Sequence, residues 1–400
     1  VVLLKGSWIL QCYKEHAVLP RRQELPPEAY WNVYELEFHW YGRNAGEFDQ
    51  RIYVQLVSIS HCWFTKEHPD PHGAQVQDVG PVVESRLKAY SCWKGYDLAV
   101  FWCWCSLFQE PRLPNEQEAF NRSMEHMDLW YANSHAEVWM LTKVPEDVPN
   151  SVPYEKRGWT TWEKAVAGLI TESNEGFSRM PLDLGALAPH EAETLEFDEI
   201  ESKCSSRMVG PPLEPDAFTA LISEKKFTKG KTDLEIVSHN YGRNFEYIMS
   251  VVKAFKFGED EGCISPGERP DLQGDRSTFQ TPRRRADLPF GVEETKRLCH
   301  LLPLAKELAT IEIVNCPIGD AGAEALAACL PKIGLLQLRL LNCGIGDVGA
   351  EQLAAAIQRG SALRRLCMWG NCFGLTSEDL LYEACEQAGV RLDIKYHMCH

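Results

Sequence analysis

The C-terminal part of the chain repeats itself, and an internal repeat constrains a fold more than any other sequence pattern. Leu308-x-x-Ile311-x-Ile313-x-x-Cys316-x-Ile318 returns 27 residues later as Leu335-x-x-Leu338-x-Leu340-x-x-Cys343-x-Ile345. A third copy starts 28 residues on, as Leu363-x-x-Leu366-x-Met368-x-x-Asn371-x-Phe373. The apolar residues alternate with period two, which makes each segment a strand with one buried face. The segments that follow, GDAGAEALAACL (319–330), GDVGAEQLAAAI (346–357) and the looser GLTSEDLLYEAC (374–385), have helical spacing. One strand and one helix cannot bury an apolar face alone, so the copies must stack. Asp320 and Asp347, each just after a glycine, are positioned to cap the N-terminus of their own helix.

These residues resemble the leucine-rich repeats of ribonuclease inhibitor, NOD-like receptors and Ran GTPase-activating proteins. The resemblance implies a short α/β solenoid. It also implies that the column Cys316, Cys343, Asn371 lies under the strand-to-helix turn, with Asn bonding backbone and Cys acting as a small buried thiol. VEETKRLCHLLP (292–303) reads as the helix of a degenerate first repeat, and Arg391–Tyr396 as a closing strand. Positions alternating with the buried leucines face the concave side: Thr310, Glu312, Val314; Gln337, Arg339, Leu341; Arg365, Cys367, Trp369. Val314, Leu341 and Trp369 form an expected exposed apolar column flanked by charge. With Glu312, Arg339 and Arg365 they make a candidate protein-binding face. The alternative is a face covered by the chain's own linker.

Upstream the pattern changes. RIYVQLVSIS (51–60), YDLAVFWCWCSLF (96–108) and AEVWMLT (136–142) are apolar runs of strand length. VQDVGPVVESRLKAY (76–90), FNRSMEHMDLWYANS (120–134) and RGWTTWEKAVAGLI (157–170) are helical between and after them. Strict β-α alternation implies a parallel sheet with helices on its faces, and such sheets bind ligands at their carboxyl ends. The segment order resembles TIR-type domains and the related domain of fungal heterokaryon-incompatibility proteins. Ile59-Ser60-His61-Cys62-Trp63 is similar to the family's opening "ISH-x-W". Trp159 and Glu163 keep the four-residue spacing of its "S-x-W-C-x-x-E", although Arg157 and Thr160 stand where the family has serine and cysteine.

The resemblance implies an α/β fold class: an N-terminal flavodoxin-like parallel-sheet domain, followed by the repeat solenoid. The boundaries read as 1–50, an N-terminal extension; 51–175, the TIR-like domain; 176–257, an acidic linker and helical connector; 258–288, a flexible linker; and 289–400, the repeats. It further implies that Glu163 is a candidate catalytic carboxylate for cleaving the nicotinamide glycosidic bond of NAD, with Ser60, His61, Trp63 and Trp159 around the substrate. No cofactor is required, and NAD enters as substrate. A carboxylate suits that chemistry because the bond breaks through an oxocarbenium-like transition state. The alternative is structural: Trp159 packs the helix and Glu163 sits on its exposed first turn, favoured by the helix dipole.

Composition narrows the functional classes. There are 41 basic and 57 acidic residues, a net charge of −16, which disfavours nucleic-acid and anionic-membrane partners. No apolar run reaches the roughly 20 residues of a membrane span. Fifteen cysteines cannot all pair within one chain. No signal peptide is visible, so a reducing, cytoplasmic setting with free thiols is expected. The start at Val1 instead of Met reads as a fragment of a longer chain. Cys103 and Cys105 read as core residues of a strand; a C-x-C pair lacks the spacing of a zinc site. There is no GxxxxGK[ST] phosphate loop.

Three functions fit. The first is an intracellular sensor or adaptor, with repeats binding a protein and a TIR-like signalling domain that can self-associate. The second is an NAD glycohydrolase using Glu163. The third is a Ran GTPase-activator-like repeat protein.

Overall fold

Asp97–Trp102 is buried at every position, as a strand must be when a sheet is covered on both faces. The computed structural model describes residues 1–32, 36, 54–92, 95–133, 135–171, 181–206, 210–258 and 290–394. They fall into two units, one formed by Val1–Thr171, Glu175–Arg207 and Leu213–Phe245, the other by Glu172–Asn174, Met208–Pro212 and Glu246–His400. Each is mixed α/β with a mainly parallel sheet.

In the first unit the described strands are β1 (Leu4–Lys5), β2 (Val54–Ser60), β3 (Asp97–Trp102), β4 (Ala136–Met140) and β5 (Leu182–Asp183), in the order β1-β3-β2-β4-β5. Only β1 runs antiparallel. The segment set apart in sequence as an N-terminal extension therefore begins inside this sheet, and its helix α1 (Gly6–Lys14) packs on α2 (Ala74–Ala89). Gly80 permits that approach, since a Cβ there would sit 2.2 Å from the Tyr13 ring. Leu4, Ile9, Val57, Ile59, Val100 and Trp139 lie in one core. Arg86 and Glu137 are buried within it as a 2.5 Å ion pair, with the guanidinium over Tyr90 and Phe197.

The second expected strand, 96–108, is shorter than its apolar run. β3 stops at Trp102, and Cys103–Ser106 turns as the short helix α3. The helical turn puts the two cysteines on different sides: Cys103 is partly exposed and Cys105 is buried, its thiol donating to the Pro20 carbonyl. The expected helix over 120–134 is two pieces, α4 (Pro114–Glu125) and α5 (Asp128–Tyr131). After β4 comes α6 (Gly158–Thr171), and after β5 come α7 (Phe197–Cys204), α8 (Pro215–Ser223) and α9 (Lys231–Val251).

In the second unit the order is β10-β9-β8-β7-β6, every pair parallel. The strands are β6 (Ala254–Gly258), β7 (Thr310–Val314), β8 (Gln337–Leu341), β9 (Arg365–Cys367) and β10 (Arg391–Asp393). Helix α10 (Val292–Leu301) precedes β7, and α11 (Gly319–Cys329), α12 (Asp347–Gln358) and α13 (Leu375–Ala388) follow β7, β8 and β9. β6 lies in a stretch that reads as helical connector. Ala254 faces Thr310, 56 residues on, so Val252, Phe255 and Phe257 occupy the columns of Leu308, Ile311 and Ile313. That interval is two repeat lengths, and the linker expected at 258–288 lies almost wholly outside the described residues.

The turns hold the stack together. Asn315 (φ 54°), Asn342 (φ 51°) and Gly370 (φ 69°) take the left-handed conformation that Asn and Gly tolerate best. Asn342 Nδ2 donates to Asn315 Oδ1 at 2.9 Å. Asn371 Oδ1 accepts from the Cys343 and Ile345 amides, and its Nδ2 donates to the Leu340 and Met368 carbonyls. The two aspartates do not cap their own helices. Asp320 accepts from the Gly346 and Gly349 amides, and Asp347 from the Gly374 amide and Ser377 hydroxyl. Each carboxylate reaches the N-terminus of the following helix, because stacking brings that terminus beside it.

Candidate functional site

Ser60 is the last residue of β2, and β2 lies between β3 and β4, to which the chain departs on opposite sides. A parallel sheet opens a crevice where its strand order reverses in this way. Helix α6 brings Glu163 to this point. Its carboxyl accepts the Ser60 hydroxyl at 2.5 Å, and the Ser60 oxygen lies 2.6 Å from the Tyr154 hydroxyl. Tyr131 also hydrogen-bonds Glu163, and its hydroxyl lies 3.1 Å from the Ile59 carbonyl. Ser60 and Glu163 are buried, at 0% and 7% exposure. Burial pushes the Glu163 carboxyl from the usual 4.5 up to about 7, with the Ser60 and Tyr131 bonds opposing. Tyr131 and Tyr154 are pushed well above the usual tyrosine range by burial and then by Glu163.

The exposed first-turn glutamate of the structural alternative is therefore not what is found. Glu163 lies in the second turn of α6 and points inward. The sequence departures beside it have partners. Arg157 donates to the carbonyls of Asn150, Val152 and Trp63, tying the loop before α6 to the end of β2. Thr160 is buried and donates to the Tyr154 carbonyl at 2.6 Å.

His61 and Trp63 converge on a different atom, the Cys103 sulfur. His61 Nε2 lies 3.1 Å from it, and Trp63 bonds to it as well. His61 is buried, and burial holds its imidazole down at about 4. Trp63 is partly exposed, its ring edge-on to Trp104 at 5.5 Å. Trp159 does not join this group by any described hydrogen bond and packs edge-on against Trp162. The structure thus unites Ser60 with Glu163, and His61 with Trp63. Sequence reasoning missed Tyr131, Tyr154, Gln75 and Cys103. Tyr131 falls within the stretch expected as helix and Tyr154 in a proline-rich loop, neither with a signal that its hydroxyl is buried, and Cys103 was hidden inside its apolar run. A cavity of about 580 Å³ in this unit is lined by Lys5, Tyr30, Trp31 and Trp130 among others, and by none of the site residues.

On the sheet face of the second unit, Val314 and Leu341 are buried at 2% and 1%, clustered with Cys367 and the partly buried Trp369. The apolar column is present, but Val314 and Leu341 are not exposed as expected; they pack with Cys367 and Trp369 in one small cluster. Glu312 pairs with Arg339 at 3.0 Å, and Arg365 with Asp393 at 2.8 Å. Among the described residues no group of three metal-ligating side chains is found, and no helix is long and apolar enough to cross a membrane.

No family model and no curated protein matches the chain. Among solved structures it is similar to "Leiomodin-1 Actin-Binding Site 2 (ABS2)", at 17% identity and a TM-score of 0.25. That match covers 27% of this chain and 65% of the other, and a likeness at that score carries no argument about function.

Proposed function

We propose that the first unit is a flavodoxin-like, TIR-like domain that cleaves the nicotinamide glycosidic bond of NAD, with Glu163 as the catalytic carboxylate. In the same reading the second unit is a short leucine-rich-repeat solenoid that binds a protein, and the chain is a cytoplasmic sensor. One observation carries the catalytic part: a buried carboxyl titrating near neutrality at the carboxyl end of a parallel sheet, where its order reverses. A carboxyl perturbed this strongly in such a position is a functional-site candidate.

The chemistry runs as follows in this reading. The bond from ribose C1′ to the nicotinamide nitrogen breaks, and its electron pair leaves with nicotinamide. The ionised Glu163 stabilises the positive charge left on the ribose. Water then attacks C1′ and gives its proton to Glu163. Ser60 positions the carboxylate, and the partly exposed Trp63 offers a stacking surface for a flat ring. The test is loss of NAD by purified full-length protein. Glu163→Ala abolishes it while far-UV circular dichroism and oligomeric state are kept. Equal turnover in both proteins overturns the reading.

A second reading is an adaptor without catalysis. Its support is that Glu163 is nearly enclosed and already bonded to Ser60 and Tyr131. Absence of NAD loss from the wild-type protein favours it. For the Ran GTPase-activator reading, the concave arginines Arg339 and Arg365 offer little, since both are paired with carboxylates.

A further inference from the structure

Beside Glu163 lies a second set of reactive groups with a different geometry. Gln75, at the start of α2, donates from Nε2 to the Cys62 carbonyl at 2.6 Å. That bond fixes the amide, so Oε1 faces His61 Nδ1 at 2.8 Å and can only accept. The proton of His61 therefore sits on Nδ1, and the Nε2 lone pair faces the Cys103 sulfur at 3.1 Å. The order thiol, imidazole, amide, each in hydrogen-bonding reach of the next, is the arrangement of a nucleophile, its base and the group that orients the base. Asp70 locks the third member by accepting from the Ala74 and Gln75 amides. Cys103 is partly exposed, which the buried Cys105 is not.

We propose that Cys103, His61 and Gln75 form an acyl-transfer site for esters or thioesters of small apolar acids, a reaction different from NAD cleavage although it shares His61 and Trp63 with that reading. The Cys103 thiol gives its proton to His61 Nε2 as its sulfur bonds the carbonyl carbon. The bond to the leaving alcohol or thiol then breaks, and His61 returns the proton to that group. Water, deprotonated by His61, releases the acid and restores the thiol.

Two features select this substrate class. Burial holds the thiol up at about 12 and the imidazole down at about 4, so the resting pair is neutral. A neutral thiol is a poor nucleophile, so attack requires that the Cys103 proton pass to His61 Nε2 as the sulfur bonds the carbonyl carbon. The surroundings are Trp63 and Trp104, edge-on at 5.5 Å, with Trp102 against His61. Those rings suit an apolar acyl group.

The experiment treats full-length protein with p-nitrophenyl acetate and maps acetylation of each cysteine by peptide mass spectrometry. The exposed Cys92 and Cys372 are internal references. Cys103 is expected to be acetylated faster than either, and His61→Gln to slow Cys103 about a hundredfold while the references are unchanged. Wild-type protein alone also decides: with iodoacetamide, which needs thiolate, the ranking is expected to reverse in favour of Cys92 and Cys372. Acetyl recovered only on Cys92 and Cys372 with p-nitrophenol release no faster than in Cys103→Ala, or a Cys103 rate indifferent to His61→Gln, overturns the proposal. Neither outcome depends on NAD turnover.

Discussion

In the second unit the turn side chains serve neighbouring repeats, whereas at the end of β2 in the first unit they serve one another. Asn371, Asp320 and Asp347 reach across to backbone amides of the adjacent unit of the stack. Ser60, Glu163, Tyr131 and Tyr154 form a closed cluster instead, and His61, Gln75 and Cys103 form a second. The first arrangement gives stability through many replaceable bonds. The second concentrates buried ionisable groups and disfavours their charged forms, raising Glu163 to about 7 and Cys103 to about 12 and lowering His61 to about 4, which costs stability and is retained where chemistry gains from it.

That contrast can be broken at several points, starting with the largest effect. Leu340→Ala, at a fully buried strand position, is expected to lower stability by about 4 kcal/mol in denaturant unfolding, since the stack cannot collapse onto the space. Glu163→Gln acts through pH. The folded carboxyl titrates at about 7 against 4.5 unfolded, so its contribution is full below 4.5 and is lost as pH rises through 7. Relative to Glu163→Gln, the wild type should lose up to about 3 kcal/mol between mildly acid and mildly alkaline pH. A pH-independent difference would mean that Glu163 titrates normally.

Gly370→Ala comes next. Its φ is +69° and a Cβ would lie 1.6 Å from Asn342 Oδ1, so a drop of about 2 kcal/mol in thermal unfolding is expected. The smallest effect is that of Asp320→Ala, about 1 kcal/mol, the usual loss when a capping side chain is removed. Hydrogen exchange distinguishes the two cap assignments: protection should fall at Gly346 and Gly349, not at the start of Asp320's own helix.

The repeats were legible because local pattern and tertiary role coincide there: Leu338 and Leu340 are buried where the period says they must be. Β6 was less so, since Phe255 and Phe257 replace aliphatic residues and the matching strand lies 56 residues on. The residues around Glu163 could be nominated through Ser60 and Glu163, but not connected. Tyr154 reaches Ser60 across 94 positions, and nothing in a proline-rich loop announces a buried hydroxyl. Cys103 was misassigned for a definite reason. Cys103, Trp104 and Cys105 continue the apolar run beyond the strand, so hydrophobicity alone could not show that the backbone turns at Cys103.

The most direct test is the rate of nicotinamide release from NAD as a function of pH, for wild type and Glu163→Gln. The ionised carboxylate is the form that stabilises the ribosyl cation. The wild-type rate should therefore rise about tenfold per unit below pH 7 and level off above it, with Glu163→Gln inactive throughout. A wild-type profile flat through neutrality, or one that Glu163→Gln reproduces, would contradict the account.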